Sequence, residues 1–281
     1  MSNLKTFALT ATAVLSALIS VSSWAADTHA LPKSIKEKGF IAAGIAPNYP
    51  PMDFKDPATG KLTGVDYDLG TEIAKRLGVE IKWQETAFEQ MVSGLATNRI
   101  DIVLSGMTDT PERQQTVDFV DYFSTGPQFY TLESQKDLKT VEDMCGKKIG
   151  TSRRTTFPVE IAKWSDVNCV AKGKPAITVV GTEGSADARA QLRQSRLDAA
   201  VQGSETLPYI QGQEPGVFKV LGEPLARQLT GLGVAKHNPE LSAAIIATLN
   251  DMIKDGTYEQ ILGKWQLQNG AVKEAVLNGA K

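Results

Sequence analysis

One short unit occurs twice in this chain, and it restricts the folds the chain can adopt. Leu95-Ala-Thr-Asn-Arg99-Ile100-Asp101, followed by Gly106, has the same spacing as Leu192-Arg-Gln-Ser-Arg196-Leu197-Asp198, followed by Gly203. In each copy a helix ends on an arginine, the chain turns into an apolar strand, and a glycine precedes a second helix start, at Thr110-Pro111 and at Thr206-Leu-Pro208. Two such helix–turn–strand units point to two similar lobes, each presenting a strand end beside a helix start. In open α/β sheets small ligands bind at such places.

The surrounding segments keep the alternation. Phe40–Ile45 reads as a strand, and residues 66–77 as a helix, with Leu69, Ile73 and Leu77 at spacing four and Gly78 as its C-cap. Residues 79–83 read as a strand. Phe88, Met91, Val92 and Leu95 then fall at i, i+3, i+4 and i+7, the stripe of an amphipathic helix. Residues 100–104 form the strand of the first unit. After Cys145, residues 148–151, 177–180 and 197–201 read as strands, and residues 158–164 and 186–194 as helices. This predicts an α/β fold with largely parallel sheets.

The first unit runs into Ser105-Gly-Met-Thr-Asp-Thr-Pro-Glu-Arg113. Thr110 as N-cap and Pro111 at the first helical position predict a helix start here. Free N–H groups at a helix start favour an anion. Arg113 adds a planar fork that fits a carboxylate with two hydrogen bonds. The stretch therefore reads as a small-carboxylate site, or as an ordinary capped helix with a solvated arginine.

Composition narrows the setting. The chain has 281 residues, 42% hydrophobic and 22% charged, with net charge −2. That suits a soluble globular protein of one large or two modest domains, with no basic tract for nucleic acid. Lys5 precedes an uncharged apolar run over residues 7–21 and then Ser23-Trp24-Ala25. This is the pattern of a secretory signal peptide, residues 1–25, cleaved after Ala25, and it predicts export to the periplasm. Two cysteines, Cys145 and Cys169, form a disulfide in such a compartment or remain as two buried thiols. Only His29 and His237 are present, which speaks against a histidine-rich metal site or a Ser/His/Asp triad. No metal, cofactor or phosphate-loop motif is visible.

These motifs together resemble the periplasmic solute-binding proteins of ABC transporters, in the polar amino-acid class, family 3. Gly64-Val-Asp-Tyr-Asp-Leu69 resembles that family's helix start, and Arg99-Ile-Asp101 through Arg113, then Val117-Asp-Phe-Val-Asp121, its most specific signature. Thr140-Val-Glu-Asp-Met-Cys-Gly-Lys-Lys148 is similar to the opening of the second lobe, and Asp255-Gly-Thr-Tyr258 with Lys264-Trp265 to the C-terminal helices.

The resemblance implies a two-lobed type II binding-protein fold, each lobe a mostly parallel sheet flanked by helices. Two hinge crossings would lie near residues 124–130 and 227–233. Lobe 1 would comprise residues 31–126 plus 229–281, and lobe 2 residues 127–228. A monomer would capture a small carboxylate-bearing polar solute and deliver it to an inner-membrane ABC permease.

Carried over residue by residue, the carboxylate-binding arginine is Arg113, with Ser105, Gly106 and Thr108 beside it. Tyr49 forms an aromatic wall, and Phe88 either a second wall or core. Thr155 and Thr156 close on the carboxylate from lobe 2.

Two positions depart from the pattern. Arg153 and Arg154 precede the threonine pair where a glycine is usual, and Gly203 stands where the family carries an acidic partner for the ligand's ammonium. Gln202 or Glu205 could take that role, or Glu205 could cap the next helix. If either arginine enters the cleft, an acidic amino acid is favoured; otherwise both face solvent or pair with surface carboxylates. The alternative function is an exported enzyme resembling cyclohexadienyl dehydratase, with Glu205 as its acid.

Overall fold

The computed structural model describes residues 29–281; the expected signal peptide lies outside them. In chain order the strands are β1 (Phe40–Ile45), β2 (Asn48–Tyr49), β3 (Asp53–Lys55), β4 (Leu62–Thr63), β5 (Glu80–Glu85), β6 (Ile102–Val103), β7 (Val117–Thr125), β8 (Pro127–Leu132), β9 (Lys148–Ser152), β10 (Thr178–Thr182), β11 (Ala199–Gly203), β12 (Phe218–Leu221), β13 (Gln228–Ala235) and β14 (Ala271–Leu277). The helices are α1 (Lys33–Lys38), α2 (Val65–Arg76), α3 (Met91–Ala96), α4 (Phe157–Asn168), α5 (Ser185–Arg193), α6 (Leu207–Gln213), α7 (Pro239–Lys254) and α8 (Thr257–Lys264).

Two sheets organise two lobes. The larger has the order β14-β7-β13-β6-β1-β5, the smaller β10-β9-β11-β8-β12, and β2-β3-β4 form a short ribbon beside the first. β1 is apolar and buried from Ile41 to Ile45, as a strand covered on both faces must be. α2 buries Val65, Leu69 and Ile73 against it and turns Glu72 and Arg76 outward, paired at 2.8 Å. α7 does the same with Leu241, Ala244, Ile245, Leu249 and Met252. Each lobe thus has its own apolar core, the smaller one built around Phe129, Ile149, Ile161 and Val201.

The expectation of mostly parallel sheets needs correcting. β1 pairs in parallel with β5 and β6, and β9 with β10 and β11, but β7, β8, β12, β13 and β14 are all paired antiparallel. The reason is the direction of travel. Parallel neighbours need a crossover between them. The chain instead passes from the first sheet to the second through β7 and β8 and returns through β12 and β13, so outgoing and returning strands run oppositely within each sheet. β7 and β8 are joined by Gly126 alone, and β12 and β13 by residues 222–227. The second passage therefore starts earlier than the expected 227–233. The two passages touch: a Cβ on Gly126 would collide with the Ala226 carbonyl, so only glycine fits.

The duplicated unit is a duplicated structure. Asn98 and Ser195 both hold left-handed backbone, at φ 55° and 54°. Ile100 fills the space over Gly44, and Leu197 that over Gly150, so neither glycine has room for a side chain. Asp101 Oδ2 accepts the Ala42 amide at 2.6 Å, and Asp198 Oδ2 the Lys148 amide at 2.7 Å. Each aspartate thereby ties its turn to the strand one place in from the edge of its own sheet, β1 or β9.

Beyond that point the copies diverge. The second runs through Ser204–Thr206 into α6, as expected. The first makes one turn, with Gln114 N–H bonded to the Thr110 carbonyl at 2.9 Å and a 3-10 turn over Arg113–Gln115, and then enters β7. The expected helix at Thr110 is therefore absent. Val117, Phe119, Val120, Tyr122 and Phe123 are buried in a strand, which claims the chain after a single turn. Cys145 and Cys169 are disulfide-bonded, with Cα atoms 5.5 Å apart, and link the segment before β9 to the end of α4.

Candidate functional site

The C-terminal ends of β1, β5 and β6 face those of β9, β10 and β11 across a cleft of about 650 Å³. The larger lobe contributes residues 46–49, Lys55, residues 85–89, Ser105, Gly106, Thr108 and Arg113. The smaller contributes residues 152–157, residues 182–185 and Gln202. Of the residues expected from sequence, Ser105, Gly106, Thr108, Arg113, Tyr49, Phe88, Arg153, Arg154, Thr155 and Thr156 all line it. Glu205 does not.

Arg113 is the electrostatic centre of the cleft. Its Nη1 donates to the Thr108 carbonyl at 2.8 Å, which fixes the guanidinium, and its Cζ lies 5.6 Å from the centre of the Phe88 ring. Among the described residues it has no ion-pair partner; Glu112 and Asp109 act on it only from a distance. Burial pushes its pKa down, the mark of a cation deprived of water. A guanidinium keeps its charge regardless, so the remaining N–H groups are set for an anion. Because the turn at Thr110 is not a helix, this charge carries the anion preference without a helix dipole. Phe88 is both wall and core: it lines the cleft and packs on the cluster of Met91, Leu95 and Phe119.

The neighbouring residues are positioned from behind. Ser105 Oγ accepts the Ala46 amide at 3.0 Å and donates to Asp53 at 3.1 Å, so its hydroxyl is spent inside the protein. The Gly106 amide donates to Asp66 Oδ2 at 2.7 Å, and Tyr122 OH to Asp66 Oδ1 at 2.5 Å. Gly106 sits at φ 56°, and a Cβ there would press on the Tyr49 ring. Burial raises the pKa of Asp53 well above the carboxylate range and that of Asp66 to about 7. Sequence reading placed Asp66 in a helix-start motif but gave no sign that it braces Gly106.

On the other side, Thr155 Oγ1 donates to the Ser152 carbonyl at 2.8 Å and accepts the Phe157 amide at 3.2 Å, so it shapes the start of α4. Thr156 Oγ1 donates to Gln228 Oε1 at 3.2 Å. Arg153 pairs with Glu183 at 2.8 Å, and Arg154 with Glu89 of the larger lobe. Lys55 pairs with Glu85 at 2.7 Å, a charge pair that sequence reading did not single out.

Glu205 is buried between the lobes. It accepts from Tyr49 OH and from Thr125 Oγ1, and burial raises its pKa. Its carboxylate occupies the space into which a side chain at position 203 would project. Neither role expected for it, ligand contact or helix cap, matches this placement, because the carboxylate points back at Tyr49 and the hinge strand.

The comparisons with known proteins agree with this architecture. The description "Bacterial extracellular solute-binding proteins, family 3" matches residues 41–268. The chain is 28% identical over 259 residues to the histidine-binding periplasmic protein of Escherichia coli K12, covering 89% of this chain and 94% of that protein. Among solved structures, a mutant of ArgBP from T. maritima is 31% identical with a TM-score of 0.73, covering 83% of this chain and 97% of that one. The ancestral amino acid-binding protein AncCDT-1, a precursor of cyclohexadienyl dehydratase, is 31% identical with a TM-score of 0.70, at the same coverages. With most of its length matched and the two-lobed architecture shared, the chain belongs to the bacterial extracellular solute-binding proteins, family 3.

Proposed function

We propose that this protein is the solute-binding component of an ABC importer. It captures a small carboxylate-bearing polar solute between its lobes and delivers it to a membrane permease. The observation that carries the reading is Arg113, a half-buried cation on the cleft wall whose guanidinium is bonded, among the described residues, to the Thr108 carbonyl alone. A charge so placed is costly until an opposite charge meets it. The lobes, residues 31–126 with 229–281 and residues 127–228, close on the solute by bending at the two passages. The N-terminal pattern of residues 1–25 and the periplasmic relative support a periplasmic location.

The relatives' names suggest an amino acid. An acidic one was favoured on the premise that Arg153 or Arg154 needed an anion, but Glu183 and Glu89 already fill that need. The test is a thermal-shift screen over amino acids, hydroxy acids and dicarboxylates. A binding solute raises the melting temperature by mass action, and Arg113→Ala abolishes the shift. A shift that survives Arg113→Ala would remove the carboxylate reading.

The enzyme alternative draws on the likeness to the dehydratase precursor. Its candidate acid, Glu205, faces Tyr49 and Thr125 rather than the cleft. Incubation with prephenate or arogenate decides it, since a receptor releases both unchanged.

A further inference from the structure

The turn that carries Arg113 is held from outside by a segment far along the chain. Residues 271–281 follow the stretch matched to the family, 41–268. There β14 lies antiparallel on β7, with Val276 opposite Asp121 and Leu277 opposite Val120. Asn278 then turns in left-handed backbone, φ 52°. Three hydrogen bonds fasten it to β7. Its amide donates to the Phe119 carbonyl at 2.8 Å, its Oδ1 accepts the Phe119 amide at 2.8 Å, and its Nδ2 donates to Asp118 at 3.0 Å. The Gly279 amide donates to Asp121 Oδ2 at 2.7 Å, and a Cβ on Gly279 would crowd that carboxylate and Leu229.

This path brings Ala280 to the Arg113 turn. The Ala280 amide donates to Asp109 Oδ2 at 3.1 Å, and its carbonyl accepts from Gln114 Nε2 at 3.1 Å. Gln114 Nε2 also donates to Asp109 Oδ1 at 2.8 Å, which closes a ring of three groups. Asp109 follows Thr108, whose carbonyl fixes the guanidinium, and Gln114 follows Arg113 itself. The ring therefore clips together the two ends of the segment that aims Arg113. Asp109 is 3% exposed, and a buried acceptor is costly to leave without donors.

The first half of the turn has support from β13: the Asp109 amide donates to the Leu229 carbonyl at 2.9 Å, and the Gly231 amide to the Met107 carbonyl at 3.0 Å. The second half has less. Among the described residues, the bond from Gln114 to Ala280 is the one hydrogen bond that ties residues 110–115 to a distant part of the chain. Asp109, Gln114 and Ala280 do not line the cleft, so any effect they have on the solute passes through Arg113.

We propose that residues 278–281 position the anion site: the clip of Ala280, Asp109 and Gln114 keeps Arg113 aimed into the cleft, and releasing it weakens solute binding without unfolding the lobe. This rests on Arg113 holding the solute's carboxylate. A site that keeps its binding geometry for only a fraction of the time loses affinity in proportion.

The test compares the whole protein with Gln114→Met, with a variant lacking residues 279–281, and with the two changes combined, all well below their melting temperatures. Calorimetric titration with each common L-amino acid selects the tightest binder as the probe. Hydrogen exchange of the ligand-free proteins reads the amides of residues 109–114. Each single change weakens the probe by about threefold to tenfold and speeds exchange at Arg113 and Gln114. The combination weakens it no further than the larger single effect, because both changes cut one ring. A segment with a structural role alone would lower the melting temperature and leave affinity and exchange in the turn unchanged, which overturns the proposal. A combined loss equal to the product of the two single losses overturns it as well. Arg113→Ala separates the two levels. If it abolishes binding while the clip variants bind like the unaltered protein, only the clip fails; if binding survives it, or no amino acid binds, the carboxylate reading fails and the proposal with it.

Discussion

Asn98 and Ser195 occupy the same place in the two lobes and share the same left-handed backbone, φ 55° and 54°. Each lies at the turn between a helix and the strand that leads to the cleft. An L-residue there costs roughly 1–2 kcal/mol, and glycine largely avoids that cost at some expense in unfolded-state entropy. Ser195→Gly should therefore raise the melting temperature by roughly 1–3 °C, and Ser195→Val should lower it. Asn98→Gly should gain less, because Asn98 Oδ1 also meets His237 Nε2 at 2.7 Å. Scanning calorimetry of the three variants checks the order.

Arg153 and Arg154 are about half exposed, as are their partners. Exposed ion pairs are worth about 0–1 kcal/mol. Alanine at either position should shift ligand affinity less than about fivefold. Arg113→Ala should cost about 2–5 kcal/mol. Titration of one ligand against the three variants separates them; a loss above tenfold at Arg154 would return that side chain to the binding surface.

Asp121 gives stability a pH dependence of definite sign. Burial raises its pKa to about 7, opposed by the Gly279 amide at 2.7 Å and reinforced by the nearby Asp109. The folded chain therefore keeps a proton that the unfolded chain releases above about pH 4. Its contribution is full below that pH and is lost as the pH rises towards 7. Asp66, also raised to about 7, adds to the same slope. Asp121→Asn keeps an oxygen for Gly279 and offers an N–H toward Asp109. Melting curves at pH 5 and pH 8 should lie closer together in the variant, with the gain at pH 8; an unchanged gap would show that Asp121 does not titrate in this window.

The Cys145–Cys169 bridge spans a sequence separation of 24 residues. Loop-closure entropy puts its worth at about 3 kcal/mol. The double alanine variant, or the reduced protein, should melt lower by that equivalent, with the smaller lobe affected because Cys169 lies in its core and Cys145 packs against it. Equal melting with and without reductant would show that packing around Cys169 suffices.

Much of the centre of each sheet was legible in the sequence. β1 and β11 are short runs buried along nearly their whole length, and β9, polar at both ends, buries Ile149 to Thr151; such burial leaves the pattern little ambiguity. The duplicated unit was legible because its glycines, aspartates and apolar residues each have one structural task. The antiparallel half was not. β7 and β13 are buried along most of their length, and their pairing along eight registered positions comes from two passages that run in opposite directions between the lobes, which local periodicity does not report. The Thr110 cap signal is real, since Thr110 Oγ1 accepts the Arg113 amide at 3.2 Å, but the strand that follows leaves room for one turn only.

At the site, the residue types were legible and their partners were not. Arg154 meets Glu89 across 65 positions of sequence, and Tyr49 meets Glu205 across 156. Such pairs exist only once the lobes face each other. Counting arginines near a cleft thus overstated its positive charge, because the neutralising carboxylates come from distant segments.

β7 and β13 are paired from Val117 with Ala235 to Thr125 with Gln228, and the passages they feed touch at Gly126 and Ala226. Two separate tethers would let the lobes slide, twist and part independently. A bonded ribbon resists shear and stretching and leaves bending as its soft coordinate. Under the proposed function, capture of a solute is then written into the molecule as a single angle, one number that a docking partner would sense without touching the ligand.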